Sequence, residues 1–479
     1  MMKTLINSNL KSNVSIMFKN KVHIVAAVML SALITGCASK INETQHQQLL
    51  ESFIERADIA SNLSGQDELN WWHRFNSAQL NQLVDAALAK NHDLKTSQLQ
   101  LKSALARLGA QKTDYLPQGS ISASANRSSL ADAISKESTA NIASDWQIDL
   151  FGRITALVDA ANASAMSQAE QLRLLQVEVV SAIVKGYVNY QGNIKKEHIA
   201  TKQIEALHQS IDVLQAQVDE GMANELDLNR TKAQLSQQQA LLPEIKYAKY
   251  RDLSTLALLT GHFTNEIKVD ENSEVLLSQI AVEIIDPNNA IALRPDILQA
   301  LYKFSQANSL SVAANKALLP NISLSGFAGI LGLNNTRLVD TQQQWQVNPQ
   351  IEWSLLSYPA LLAQKEAQEY LSEAAYSEYQ KIVLKAMNES ELSLQLLVKQ
   401  NNQQSFAQER FKHANNAFYQ AQAMYQEGQI PYLELLDARQ DVLIAEKDNI
   451  DSSISSLIAK VSTYQAFNGR WSRQLTAEK

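Results

Sequence analysis

Hydrophobic residues recur along this chain with two different periods, and the order in which the periods alternate is itself repeated. From Ser77, a suitable N-cap, apolar residues return every three or four positions through LNQLVDAALAKNHDLKTSQLQLKSALARLGAQKTDY to Leu116-Pro117, which predicts an amphipathic helix. The texture then changes to period two. QGSISASANRSS and NIASDWQIDLF read as strands, the second with Ile142, Trp146, Ile148 and Leu150 on one face, and the Ser- and Ala-rich stretch between them reads as a loop. Beyond Gly152-Arg153 no proline occurs before Pro243, so residues 154–220 are predicted to form one helix of roughly 100 Å at 1.5 Å per residue, tolerating Gly186 and Gly192. Its last part carries a 3,4-spaced coiled-coil seam of Ile204, Leu207, Ile211, Leu214 and Val218. Gly221 interrupts the seam, and a returning helix is expected from about Glu225 to Thr260.

The second half repeats this grammar. RPDILQALYKFSQANSLSVAANKALLP is a helix ended by Pro320, and NISLSGFAGILGL and WQVNPQIEWSLL are strand-like. In the latter Trp345, Val347, Pro349, Ile351, Trp353 and Leu355 alternate with Gln346, Asn348, Gln350, Glu352 and Ser354. A second long helix follows Pro359, with a seam of Phe411, Ala414, Phe418, Ala421 and Tyr425. Gly428 turns it, and Pro431 opens the returning helix. Gly221 and Gly428 lie 207 positions apart (428 − 221), as do Trp146 and Trp353 and the two seams. One offset shared by different kinds of segment indicates a duplicated half. The predicted organisation is a first repeat at 77–264, an irregular linker at 265–292 with a turn at Asp286-Pro287-Asn288-Asn289, a second repeat at 293–467 and a tail at 468–479.

Composition sharpens this picture. With 14 glycines and 8 prolines in 479 residues, 45% of them hydrophobic, the chain is built from a few long, mostly helical elements. Two amphipathic β-hairpins are too few to close a barrel, and an apolar sheet with free edges is a liability in water or lipid. The long helices are equally unable to form one globular core. Both features predict self-assembly. A net charge of −7 without a basic patch excludes a nucleic-acid footprint. His23, His46, His73, His92, His198, His208, His262 and His413 are scattered without metal spacing, and Met166, Met222, Met387 and Met424 do not cluster as a copper path requires. No catalytic or metal residue is assigned, and with no Gly-rich phosphate loop the chain is expected to draw energy from a partner. Trp71-Trp72 and the stripe Ala161, Ala165, Ala169 read as packing.

The single cysteine excludes an intramolecular disulfide and follows a leader. Lys19 and Lys21 precede an apolar run from Val22 to Ile34, too short to span a bilayer, then Thr35-Gly36-Cys37. This ending resembles a bacterial lipoprotein box, which implies a signal peptide at 1–36 (with Met17 an alternative start), covalent diacylglycerol and N-acyl lipid (palmitate) on Cys37, and a lipid-anchored arm at 37–76. Ala38 after the cysteine implies the outer membrane by the same resemblance.

Across nearly the whole mature chain the pattern resembles the TolC-like outer-membrane factor family, in its lipoprotein branch serving multidrug efflux. WWHRFNSAQLNQLVDAALAKNHDL, Leu116-Pro117, DWQIDLFGR, LALLTGH, LRPDI, LLPNISLSG, YQEGQIPYLELLDARQDVL and YQAFNGRW carry the likeness through their order and duplication. FNGRW departs from a more glycine-rich ending, and Ser357-Tyr358-Pro359 stands where an aspartate-glycine turn is common. The resemblance implies a mainly α fold with a small transmembrane β part: a homotrimer with a 12-strand β-barrel and a 12-helix α-barrel tunnel in the Gram-negative outer membrane. Its partners would be a periplasmic adaptor and an inner-membrane transporter of the RND (proton-driven) type, with no cofactor besides the lipid.

The resemblance puts Gly221 and Gly428 at the periplasmic tip. Gly221, Met222, Ala223, Gly428, Gln429, Ile430 and Tyr425 then become expected adaptor contacts. Glu434 and Asp437, three apart on one helix face, become rings of carboxylates at the constriction. Asp227 is equivalent to Glu434, and Arg230, equivalent to Asp437, is a candidate to pair with Asp437 across neighbouring helices. An acid in a first helical turn also serves the helix dipole. Two other readings stay open: the duct of an ABC-driven type I secretion system, and a lipid-anchored coiled-coil scaffold without transport.

Overall fold

The computed structural model describes residues 71–130, 133–270, 291–333, 338 and 341–467. The leader, Met17, Cys37, the arm before Trp71, residues 271–290 of the linker and the tail from 468 lie outside the described residues.

The first helical region is two helices rather than one. α1 spans Ala78–Lys90 and α2 spans His92–Lys112. Ser77 caps α1 by accepting from the Leu80 N–H (3.2 Å), and its hydroxyl also meets the Tyr187 hydroxyl at 2.9 Å. The break falls at Asn91, whose backbone is extended (φ −61°, ψ 126°). Its side chain accepts from the Asp93 and Leu94 N–H groups at 2.9 and 3.0 Å and donates to the Leu259 carbonyl at 2.9 Å. A short amide side chain offers the backbone an alternative to the helical ladder, and here a tertiary bond fixes that choice. A 3₁₀ turn at Thr113–Tyr115 then leads to the strands.

β1 (Gln118–Leu130) and β2 (Ala133–Ile148) form the first hairpin, and Leu130 pairs with Ala133. Of the stretch expected to be a loop, residues 130 and 133–140 are therefore strand. Its Thr139 meets Ser124 across the pair at 2.7 Å, so a sequence without hydrophobic alternation still has a cross-strand partner. α3 (Arg153–Asp219) and α4 (Glu225–Leu259) make the first helical hairpin. α4 continues through Pro243, which is exposed. The second half follows as α5 (Pro295–Lys316), β3 (Asn321–Leu333), β4 (Thr341–Glu352), α6 (Tyr358–Gln426) and α7 (Tyr432–Phe467). β2 stops at Ile148 and β4 at Glu352, so Leu150 and Leu355, expected on the strand faces, lie beyond them; Leu355 opens a 3₁₀ turn.

The four strands form one antiparallel sheet in the order β1-β2-β3-β4, so the two halves are joined through β2 and β3. Among the helices, α3 packs on α1, α2, α4, α5 and α7, and α6 packs on α5 and α7. Trp71 and Trp72 are buried against this helical core, Trp71 stacked on Tyr464 with ring centroids 5.0 Å apart.

Arg294, just before α5, ties three helices together. It bonds both Asp296 oxygens (3.0 and 2.7 Å), Glu389 on α6 (2.8 Å) and the Ala466 carbonyl near the end of α7 (3.2 Å). Burial opposes its charge, but Asp296 and Glu389 outweigh that effect and hold its pKa above the usual arginine value. Asp296 and Glu389 keep access to water when the guanidinium is removed, while the buried Ala466 carbonyl loses its donor. Arg294→Met is expected to destabilise the protein by about 1–3 kcal/mol, read as a lowered unfolding midpoint in detergent. An unchanged midpoint would show that the cluster contributes nothing.

Candidate functional site

Two parts of the molecule are candidates for function: the four-stranded sheet and the far ends of the two helical hairpins. In the sheet, Ile121 faces Ile142, Ile142 faces Ala328, and Ala328 faces Trp345, so these side chains share one face. Stepping by two along each strand adds Trp146 and Ile148, Ile322, Leu324 and Ile330, and Val347, Pro349 and Ile351 to it. The opposite face carries Ser122, Ser124, Thr139, Asn141, Gln346, Asn348, Gln350 and Glu352, with Phe327 and Leu331 of β3 among them. Ile121, Ile142, Trp345, Val347 and Ile351 are all more than 60% exposed, an apolar surface without cover in the single chain. β1 and β4 are the sheet edges. Gly329 keeps β3 close to β2 on the polar side, since a Cβ there would come within 2.4 Å of the Ala140 carbonyl oxygen.

Both tryptophans of the 207-residue offset anchor the strand ends to the helices. Trp146 donates its indole N–H to the Tyr115 carbonyl at 3.0 Å, and Trp353 to the Leu318 carbonyl at 3.1 Å. The junctions that follow them differ. In the first half Asp149 accepts from the Ile154 and Thr155 N–H groups, each at 2.8 Å, and Gly152 takes φ 78°. In the second half a 3₁₀ turn at Leu355–Ser357 feeds α6 with Pro359 in its first turn and no side-chain cap. This is where the sequence departs from the aspartate-glycine pattern, and the chain turns without it.

The helical tips repeat almost atom for atom. Gly221 donates to the Val218 carbonyl (2.9 Å) and Met222 to that of Gln217 (2.8 Å); Gly428 donates to Tyr425 (2.9 Å) and Gln429 to Met424 (2.8 Å). This is the pattern of a left-handed glycine closing a helix, and the two glycines have φ 73° and 71°. A Cβ on either would meet no atom within 4 Å, so backbone conformation alone demands glycine here. Met222, Gln429, Glu434, Asp437 and Arg230 are exposed, and Ala223, Asp227, Tyr425 and Ile430 are partly covered. Asn224 caps α4 by accepting from the Asp227 N–H at 2.9 Å. Tyr425 packs edge-on against Tyr432 at 5.5 Å, fastening the second tip. Among the described residues, no ion pair joins Arg230 to Asp437 within one chain.

The contact that does join the hairpins near their tips was not foreseen. Arg439 on α7 donates to the Ser210 hydroxyl on α3 at 2.9 Å, and burial lowers its pKa. Its counterpart at the 207-residue offset, Lys232, instead reaches Gln215 within its own hairpin at 3.4 Å. The cationic pair at equivalent positions was visible in sequence; which hairpin each cation serves was not. Further along the same seam Lys196 of α3 pairs with Asp451 of α7, and burial raises the Glu446 carboxyl against the pull of Lys202 and His198. Among the described residues no group of His, Cys, Asp or Glu is arranged to hold a metal ion, and no helix is long and apolar enough to cross a membrane.

Comparison with known proteins fits this geometry. A family model described as "Outer membrane efflux protein" matches residues 83–262 and again 287–469, one match per half, and the chain belongs to that family. It is 24% identical over 441 residues to "Probable efflux pump outer membrane protein TtgC" of Pseudomonas putida, covering 88% of each chain. It is 25% identical over 418 residues to "Outer membrane protein OprJ" of Pseudomonas aeruginosa, covering 85% of this chain and 87% of that one. The solved structure of the outer-membrane channel OprN superposes with a TM-score of 0.81 at 26% identity, over 86% of this chain and 95% of that one.

If conformation alone fixes the tip glycines, Gly221→Ala and Gly428→Ala should weaken the two tips equally. Each is expected to raise amide exchange at the tip (Met222 or Gln429) roughly tenfold, because a left-handed alanine costs about 1–2 kcal/mol. Gly→Asn at the same sites should do less, since asparagine tolerates this conformation.

Proposed function

We propose that this chain, as a member of the outer membrane efflux protein family, is the channel-tunnel subunit of a tripartite efflux pump, conducting small molecules passively out of the cell. Three copies pair β4 of one with β1 of the next, which closes twelve strands into a barrel and sets twelve helices in a ring. The observation that carries this reading is the sheet: four strands in one register, apolar on one face and largely polar on the other, with both edges open. Burying the edges of three copies against one another satisfies every backbone group in lipid. The apolar face then meets lipid and the polar face lines the lumen. A coiled-coil scaffold has no use for such a sheet.

Cys37 carries the diacylglycerol and N-acyl lipid in this reading, and the tips, with Met222, Ala223, Gln429 and Ile430 outermost, receive the periplasmic adaptor that links the duct to an RND-type inner-membrane transporter. Glu434 and Asp437 face the constriction as two rings of carboxylates, with Asp227 and Arg230 alongside. Crowded carboxylates attract cations, so the narrow end is cation-selective.

Planar-bilayer recording of the purified protein tests the channel. Cation-selective conductance is expected, and Glu434→Ala/Asp437→Ala should reduce both the selectivity and block by multivalent cations; an unchanged preference would remove these acids from the constriction. Single cysteines introduced at Gln350 and Ile351 test the barrel. Position 350 should react with a water-soluble reagent and 351 should not, and equal reactivity would refute the assignment of faces. For the anchor, Cys37→Ser should abolish fatty-acid labelling while leaving partial efflux, because the barrel alone holds the membrane.

A further inference from the structure

The outward face of the first β-hairpin carries two cations that the channel reading leaves unexplained. Arg127 on β1 lies directly opposite Lys136 on β2. Arg127 is six residues beyond Ile121 and Lys136 six before Ile142, so both belong to the apolar face. Their nearest acid along the strand, Glu137, points to the other face and pairs with Asn126. Among the described residues neither cation has an ion-pair or hydrogen-bond partner. Two like charges opposite one another on neighbouring strands, with Cβ atoms about 5 Å apart, repel unless something neutralises them.

Their height on the barrel identifies what does so. Trp146 stands near the end of the apolar face where the strands meet the helices, one step before Ile148. From Trp146 to Lys136 the strand runs ten residues, about 33 Å of path and about 25 Å of height at a tilt of ~40°, which matches the apolar band of an outer-membrane barrel. Arg127 and Lys136 therefore stand at the opposite, outer rim, side by side and directly above the acyl chains.

We propose that Arg127 and Lys136 form a binding site for the phosphate of an outer-leaflet lipid headgroup, one site on each subunit of the barrel. The phosphate accepts from the guanidinium fork on one side and the ammonium on the other, while the acyl chains lie along Ala125, Ala123 and Ile121 of β1 and Ala140 and Ile142 of β2. Continuity with the apolar band is what selects a lipid over free phosphate. The inference rests on the membrane-barrel reading above.

The test uses the full chain purified in a non-ionic detergent, with bisphosphorylated lipid A titrated and bound lipid counted by native mass spectrometry. The wild-type protein should retain it, and Arg127→Gln/Lys136→Gln should bind it roughly tenfold or more weakly, the change expected for two membrane-surface cations. Arg127→Lys, which keeps the charge but loses the fork, should weaken binding less than the double variant does. Equal retention by the double variant would overturn the proposal, and displacement of the lipid by inorganic phosphate at equal concentration would assign the site to free phosphate and overturn it as well. The same preparations are recorded in planar bilayers. A double variant that conducts normally but loses the lipid supports the site; a wild-type protein that forms no channel would instead bring down the barrel reading beneath it.

Discussion

Everything in this molecule follows from a pairing that joins distant parts of the chain: β2 of the first half lies against β3 of the second, from Glu137↔Leu333 to Ile148↔Ile322. Without it the two hairpins would be separate, each too small to be stable by itself. With it they make one four-stranded surface whose apolar side is continuous from Ile121 to Trp345. The same pairing sets α3, which leaves β2, beside α5, which leads into β3, and α7 comes to rest against α3. Arg439–Ser210 and Lys196–Asp451 can form only because of that placement.

Duplication explains the shared grammar of the halves, and the departures from it show where the two differ in duty. The tip turns are the same to within a tenth of an ångström in their paired hydrogen bonds, because a left-handed glycine closing a helix has one low-energy solution. The segments that meet other elements have diverged. Asn224 caps α4 where Pro431 opens α7, and Asp149 and Gly152 organise one strand–helix junction where a 3₁₀ turn serves the other. The segment from proline to tryptophan is also longer in the second half, since Pro117 and Pro320 are 203 positions apart (320 − 117) while Trp146 and Trp353 are 207 apart, and Trp146 falls within β2 where Trp353 follows β4.

Polar groups add to apolar contact in holding the helical region together. Ser77 both caps α1 and meets Tyr187, Asn91 both breaks a helix and holds the end of α4, and Arg294 gathers α5, α6 and α7. Each is a side chain with two tasks, one local and one tertiary. Long helices slide past one another easily when only small apolar residues touch, and directional bonds fix their register.

Sequence alone determined the helical hairpins, their glycine turns, the strands with alternating apolar residues and the duplication, because these rest on local periodicity and on conformations that only certain residues adopt. It located Ser77 as a cap, and the carboxylates Glu434 and Asp437 on one exposed helix face. It missed the break at Asn91, because that residue's preference is decided by the Leu259 carbonyl, 168 positions away. It read the start of β2 as loop, because Ser and Thr become good strand residues only when a partner strand supplies their hydrogen bonds, as Ser124 does for Thr139. The β2–β3 pairing, the apolar face shared by all four strands and the reach of Arg439 to Ser210 belong to the tertiary structure alone. Each joins residues far apart in the chain, and periodicity says which face of an element is apolar but not which other element it meets.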